Sequence, residues 1–465
     1  MTRAMAAATP RALSLLLLVA CASPGLSRIP LKLEAGEPPN IVLIVLDTVR
    51  ADHLSCYGYE RPTTPAIDAL ARYATRYENA ISTAPWTLPS HASMFTGLAP
   101  HEHGAHGFLP EGPNQNDVTP LREDLPVLAE VLKEQGYATA AFSANNVFLT
   151  RRWGLARGFD TYEVRHRYAD AHNREVIGWL DEHAAGPFFL FVNYIDAHRP
   201  YNVRHRPGFL TSPPNGNGRL IDRLRRQVMG TDDPIPEDLR AQVFDQYDNA
   251  IAHMDDAVGD LLLELDRRGL RERTIVVVTS DHGEYFGEHR LVEHNMDVYQ
   301  PGVHVPLIVY TPGQTPEVDA EVVTSQDMAF LLAERVGTKD VRVALTALSR
   351  GPGTHPALAE NYYSRPWDVF SEIWGHRFQR IRRALYEWPN KVIHATDGTQ
   401  ELYDLERDPD EARDLGPQLP GVTQRMASAI DREAARSAAQ DRADTPEVQL
   451  TDEEVAQMRA LGYVE

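Results

Sequence analysis

Asn40-Ile41-Val42-Leu43-Ile44-Val45-Leu46, followed at once by Asp47, is the stretch on which the fold turns. Six consecutive aliphatic residues leave no polar face, so the segment reads as a strand buried on both sides, as in parallel sheets covered by helices. Residues 138–143, 188–194, 274–279 and 305–310 have the same apolar, β-branched or aromatic character. Between them, residues 67–77, 125–135, 173–182 and 247–268 place apolar side chains at three- and four-residue spacing, which predicts amphipathic helices. The alternation predicts an α/β domain built on a largely parallel sheet.

The rest of the chain sets bounds on this domain. Its 465 residues are enough for two to three ordinary domains or one large one, and 43% apolar with 24% charged residues describes a globular protein, not a disordered one. The net charge is −20 at pH 7, so a broad nucleic-acid-binding face is excluded. Only Cys21 and Cys56 occur, which excludes a disulfide framework and cysteine-based metal clusters. Arg3 and Arg11 bracket the entry to a short apolar run at 13–19, the layout of a signal peptide over residues 1–20. Leu18-Val19-Ala20-Cys21 resembles a bacterial lipobox, which predicts lipidation of Cys21, a Pro- and Gly-rich tether over 21–38, and an exported lipoprotein held at a membrane in the periplasm or at the cell surface. The main α/β domain is then expected over 39–319, a smaller α+β subdomain over 320–415 where strong apolar strands fade, and a helical tail over 416–465. Residues 205–240, rich in Pro, Gly and charge, read as a surface excursion.

Three of the apolar runs end in residues that bind metals: Asp47 after the first, Asp196 and His198 after 188–194, and Asp281 and His282 after 274–279. Ligands of open parallel sheets bind at the carboxyl ends of the strands, so these residues are expected to converge on one edge. In Thr83-Ala84-Pro85-Trp86-Thr87-Leu88-Pro89-Ser90-His91, Pro89 suits the first turn of a helix and places Thr87 at or just before its N-terminus, a position that attracts anions. A neutral hydroxyl attacks poorly, but a divalent ion lowers the pKa of a bound water and should act on an alcohol in the same direction. Asp47, Asp281 and His282 are therefore candidate metal ligands together with Thr87, which is also the candidate nucleophile.

Residues 39–52, Cys56-Tyr57-Gly58, the segment 87–97, Pro100-His101-Glu102-His103-Gly104, Ser280-Asp281-His282-Gly283-Glu284 and the late Glu401-Leu402-Tyr403-Asp404-Leu405 resemble the sulfatase branch of the alkaline phosphatase superfamily. The resemblance implies a mixed sheet sandwiched between helices (α/β/α), one divalent metal on Asp47, Asp281, His282 and the Thr87 oxygen, and attack by a side-chain oxygen on sulfur or phosphorus. The chain departs from sulfatases at the Cys-x-Pro-x-Arg pattern that yields their formylglycine nucleophile, because threonine cannot be matured to that aldehyde. His91 stands at the family's arginine, Ala144 and Asn146 at a lysine and a histidine, and His294 at a later lysine. Loss of these cations argues for phosphate esters over sulfate esters. His198 and His294 are predicted to bind a nonbridging oxygen or protonate the leaving group, and His91 is carried with them as a catalytic candidate. Calcium, manganese or zinc suits the ligand set. The expected substrate is an anionic ester of a glycan, a lipid headgroup or a small molecule, turned over by hydrolysis or by transfer to an acceptor. The alternatives are a sulfuric ester hydrolase proper and a non-catalytic protein that binds anionic glycans or lipids. His101, His103 and His106 read as a Pro/Gly loop and not as a second metal site.

Overall fold

The computed structural model describes residues 38–107, 118–204, 208, 219–229, 231–348, 351–362, 377–378, 380–438 and 456. Cys21, the leader, residues 22–37 and, apart from 456, the part of the expected tail beyond 438 lie outside them.

The strands in chain order are β1 (Asn40–Leu46), β2 (Thr75–Ile81), β3 (Ala138–Ser143), β4 (Thr161–Val164), β5 (Phe188–Tyr194), β6 (Thr274–Thr279), β7 (Tyr285–Phe286), β8 (Val292–Glu293), β9 (Leu307–Tyr310), β10 (Glu317–Thr324), β11 (Ala357–Asn361), β12 (Arg382–Glu387), β13 (Asn390–Ala395) and β14 (Gln400–Asp404). Eight form one sheet in the order β10-β2-β9-β6-β1-β5-β3-β4. β9 runs antiparallel to both of its neighbours, while the other pairings in the sheet are parallel, so the sheet is mixed with a single reversed strand.

β1 lies at the centre, and its alternating side chains feed two separate cores. Val42, Ile44 and Leu46 face the helices Ala169–His183 and Glu237–Arg267; Ile41, Leu43 and Val45 face Thr87–Thr96, Leu128–Glu134, Met328–Ala333 and Lys339–Leu348. Burial on both faces explains why no polar residue interrupts this strand. Registers Leu46↔Tyr194 and Val45↔Thr279 bring the carboxyl ends of β1, β5 and β6 to one edge.

Several segments differ from the sequence expectation. The helical pattern at 67–77 resolves into a helix at Pro65–Ala71 and then β2, because Thr75, Tyr77 and Asn79 turn inward with strand period while Glu78 is exposed. The large sheet continues past residue 319: β10 is its edge strand, and its polar, largely exposed first half is the usual protection of an open edge. Within 205–240, Arg219–Val228 is a helix that buries Leu220, Ile221, Leu224 and Val228. Strands β11 to β14 make a second, antiparallel sheet, which packs through Leu358, Leu385, Val392 and Leu402 on Met426 and Ile430 of the helix Pro420–Ala438.

Candidate active site

The edge formed by β1 and β6 is fastened before any functional group is placed. The Ser280 hydroxyl, just past β6, has the Leu46 carbonyl at 2.6 Å and the His282 carbonyl at 2.8 Å as acceptors for its one proton, and it accepts the Val49 amide at 2.9 Å. Asp47 N–H donates to Tyr194 O at 2.8 Å, which ties β5 to the same corner. Ser82 and Ser90 both donate to the Asp281 carbonyl, so the helix that begins at Thr87 is tied to the loop after β6. These fully buried hydroxyls hydrogen-bond to buried loop carbonyls.

Ligand atoms of Asp47, Asp281 and His282 lie within 4.8 Å of one another, and all three residues are completely buried. Asp281 Oδ1 is held by the backbone N–H groups of Thr48 and His282. His282 Nδ1–H donates to Gly283 O at 2.9 Å, which leaves Nε2 as the nitrogen that faces the carboxylates. Asp47 Oδ1 and Asp281 Oδ2 have no hydrogen-bond partner. Burial and the proximity of Asp281 push Asp47 up to about 7, and burial does the same to Asp281. Two fully buried carboxylates held close together, each with an unsatisfied oxygen, beside an imidazole nitrogen, form a donor set of the kind a divalent cation satisfies. The residues present therefore fit the metal that the sequence implied.

Thr87 is the first residue of its helix, with Trp86 in extended conformation before it, and its Oγ1 stands 3.5 Å from His282 Nε2. His91, one turn on, donates Nδ1–H to the Thr87 carbonyl at 2.9 Å, and burial pushes its pKa down to about 3. It is therefore neutral at pH 7 and does not replace the charge of an arginine. Asn145 lies between Ala144 and Asn146, and it escaped the sequence reading. Its amide donates to Asp47 Oδ2 at 3.0 Å and to Thr87 Oγ1 at 3.3 Å. Asn193, a second omission, also donates to Asp47 Oδ2. Both carried a signal: Asn193 is the one polar residue in the apolar run 188–194, and Asn145 follows β3 on the same edge.

His198 and His294 are brought together, with ring centroids 4.9 Å apart, and His294 lies 4.6 Å from the His282 ring. Asp196 turns elsewhere: it accepts the Ala169 N–H at the start of a helix and pairs with His253. It is thus a helix-capping carboxylate, the ordinary reading of an aspartate after a strand. The loop histidines are also structural, since His101 pairs with Glu360, His103 bonds Ser93 and the Pro89 carbonyl, and His106 stacks on Tyr362. Among the described residues, the only cluster with metal-ligand geometry is the Asp47, Asp281 and His282 trio.

A mixed α/β/α sandwich with an oxygen-rich metal site at the sheet edge is the architecture of alkaline-phosphatase-like hydrolases. The Sulfatase family model matches residues 39–337, and the chain belongs to that family, whose members are ester hydrolases of the alkaline phosphatase superfamily. It is similar to an ulvan-active sulfatase of Formosa agariphila, at 28% identity over 67% of this chain and 64% of that relative, so it spans just under two thirds of the relative's length. It is also similar to arylsulfatase K of Bos taurus, at 24% identity over 83% of this chain and 80% of that one. Among solved structures, the phosphonate monoester hydrolase of Agrobacterium radiobacter shares the fold, with a TM-score of 0.62 and 18% identity over 89% of this chain and all of that one.

Proposed function

We propose that this sulfatase-family hydrolase acts on phosphoric esters, by hydrolysis or by transfer to an acceptor alcohol, with Thr87 as nucleophile and one divalent cation held by Asp47, Asp281 and His282. The observation that carries the reading is the Thr87 hydroxyl at 3.5 Å from His282 Nε2, beside a buried two-carboxylate cluster. Calcium, manganese and zinc all suit these donors. When bound, such an ion stabilises negative charge on nearby oxygens and lowers the pKa of an alcohol.

The chain's own groups supply the rest. Asn145 donates to Thr87 Oγ1, a contact that strengthens as the oxygen gains charge, while its second contact keeps Asp47 oriented. The Thr87 hydroxyl gives its proton to water that enters with the ester, and its oxygen forms a bond to phosphorus as the bond to the leaving oxygen breaks. The His294 ring adjoins His282 and the His198 ring adjoins His294, and one of the two returns a proton to the leaving oxygen. Water or an acceptor alcohol then displaces the phosphoryl group from Thr87. Three positions where sulfatases hold cations are neutral here: His91 by burial, Ala144 and Asn146 by residue type. That favours phosphate over sulfate, as does the likeness to a phosphonate monoester hydrolase. The similarity to an ulvan-active sulfatase and to arylsulfatase K supports a second reading, in which Thr87 attacks a sulfate ester of a glycan.

Matched phosphate and sulfate esters assayed side by side on the purified protein separate the two. A higher kcat/KM for the phosphate ester is expected, and a higher value for the sulfate ester would replace the first reading by the second. We also propose that the protein is exported and anchored to a membrane through a lipid on Cys21. Among the described residues no helix is long and apolar enough to cross a membrane. Labelled fatty acid should enter the wild-type protein and not Cys21→Ala; equal labelling of both would remove the anchor from the account.

A further inference from the structure

Glu284 follows the metal-site loop, is fully buried, and does not belong to the candidate metal trio. Its two carboxylate oxygens are engaged by side chains from two other loops. Oε1 meets His294 Nδ1 at 3.0 Å, and Oε2 accepts the Tyr201 hydroxyl at 2.9 Å. We read the contact with His294 donating from Nδ1–H to Oε1, which makes Nε2 the nitrogen on the far side of the ring. The Glu284 backbone is held as well, its carbonyl accepting Arg50 Nη1 at 3.1 Å while Gly283 N–H donates to Gly302 O at 2.9 Å.

The two loops that meet on Glu284 carry the two unassigned histidines of the site. Tyr201 lies three residues after His198, and Arg199, next to His198, pairs at 3.0 Å with Glu293, next to His294. Tyr201, Glu293 and Asn295 all have positive φ, at 55°, 73° and 68°. Non-glycine residues adopt this region at a cost, and they concentrate where the surroundings dictate the backbone for a function.

We propose that Glu284 is a positioning residue that sets the ring orientation and tautomer of His294 and, through Tyr201, holds the His198 loop against it, so that the two imidazoles address the leaving oxygen of the ester as one unit. This rests on the reading of Thr87 as the nucleophile. A carboxylate that orients an imidazole in this way changes activity by about 10- to 100-fold when removed.

The test uses Glu284→Leu, Glu284→Gln and Thr87→Ala in the full chain loaded with a divalent cation, with an activated aryl phosphodiester as probe. The tautomer of His294 is read by ¹⁵N NMR of histidine-labelled protein and assigned by subtraction with His294→Gln. Glu284→Gln keeps an acceptor and the volume, so it is expected to retain the Nδ1–H tautomer and kcat within about fivefold, whereas Glu284→Leu shifts the tautomer and lowers kcat by about 10- to 100-fold with KM little changed. If Glu284→Leu keeps the wild-type tautomer and kcat while Thr87→Ala is inactive, the inference on Glu284 is wrong and the nucleophile stands. If Thr87→Ala retains turnover, the nucleophile assignment itself fails. An unfolded Glu284→Leu leaves the decision to the wild-type protein itself, in which a His294 protonated at Nε2 and not at Nδ1 would overturn the inference.

Discussion

Thr87 and Asn145 carry the chemistry of the account at the scale of single residues. Thr87→Ala removes the attacking oxygen and is expected to lower kcat by roughly 10⁴-fold or more, while Thr87→Ser, which keeps a hydroxyl, retains measurable turnover; steady-state kinetics on a phosphodiester decide both. Asn145→Ala deletes a donor to the nucleophile and is expected to cost roughly 10²-fold in kcat with little change in KM. A rise in KM at constant kcat would instead make Asn145 a binding group. The convergence of Asp47, Asp281, His282 and Thr87 was legible in the sequence because each follows an apolar run or opens a helix. Asn145 was not, because it lies between the two positions where the family pattern expects cations and matches neither. The environment of His91 was equally hidden: the sequence shows a base in an arginine's place, but only burial inside the helix interface makes it neutral.

Single elements show how the site is supported from a distance. Lys391 on β13 and Glu411 form an ion pair in which both side chains are fully buried; Lys391 Nζ also donates to Val298 O at 2.7 Å, and Glu411 accepts the Gln300 N–H at 2.6 Å. The turn so held, Gln300–Val303, presents Gly302 O to Gly283 of the metal loop. Lys391→Met strands a buried carboxylate and is expected to destabilise the protein by about 3–5 kcal/mol in denaturant titration, while Lys391→Met with Glu411→Leu recovers much of the loss. If the single change proves no worse than the double one, the pair is not what holds the turn. Legibility at this scale follows burial. β1, β5 and β6 are covered on both faces and were plain, whereas β2 was absorbed into a helical pattern and the edge strand β10 was missed, since charges on its exposed half erase the apolar signal.

The molecule as a whole brings Asp47 and Asp281, over two hundred residues apart in sequence, into one fully buried corner, and that arrangement makes its stability depend on pH and metal together. Both carboxyls titrate near 4 in an unfolded chain and at about 7 when folded without a cation. The folded state then holds protons that the unfolded state lacks, so the two groups stabilise the metal-free protein at low pH and this contribution is lost as pH rises from about 4 through 7. Calorimetry of metal-free protein should show Tm falling between pH 5.5 and 7.5 (an experimental window set by those values, about two units wide), with the fall reduced in Asp47→Asn/Asp281→Asn. Excess divalent cation should raise Tm more at the upper end, and a stabilisation independent of pH would place the ion elsewhere. Such convergence was expected from the sheet topology alone, but the distances that make it a site, and the departure of Asp196 from it, arise only from the folded register of β1, β5 and β6.

The central claim is tested most directly by rapid acid quench during turnover of a phosphodiester, followed by mass spectrometry of the peptide that contains Thr87. The account predicts a transient phosphorylated Thr87 whose formation and decay match turnover and which is absent from Asp281→Ala. Undiminished turnover with Thr87 unmodified at every time point would contradict it.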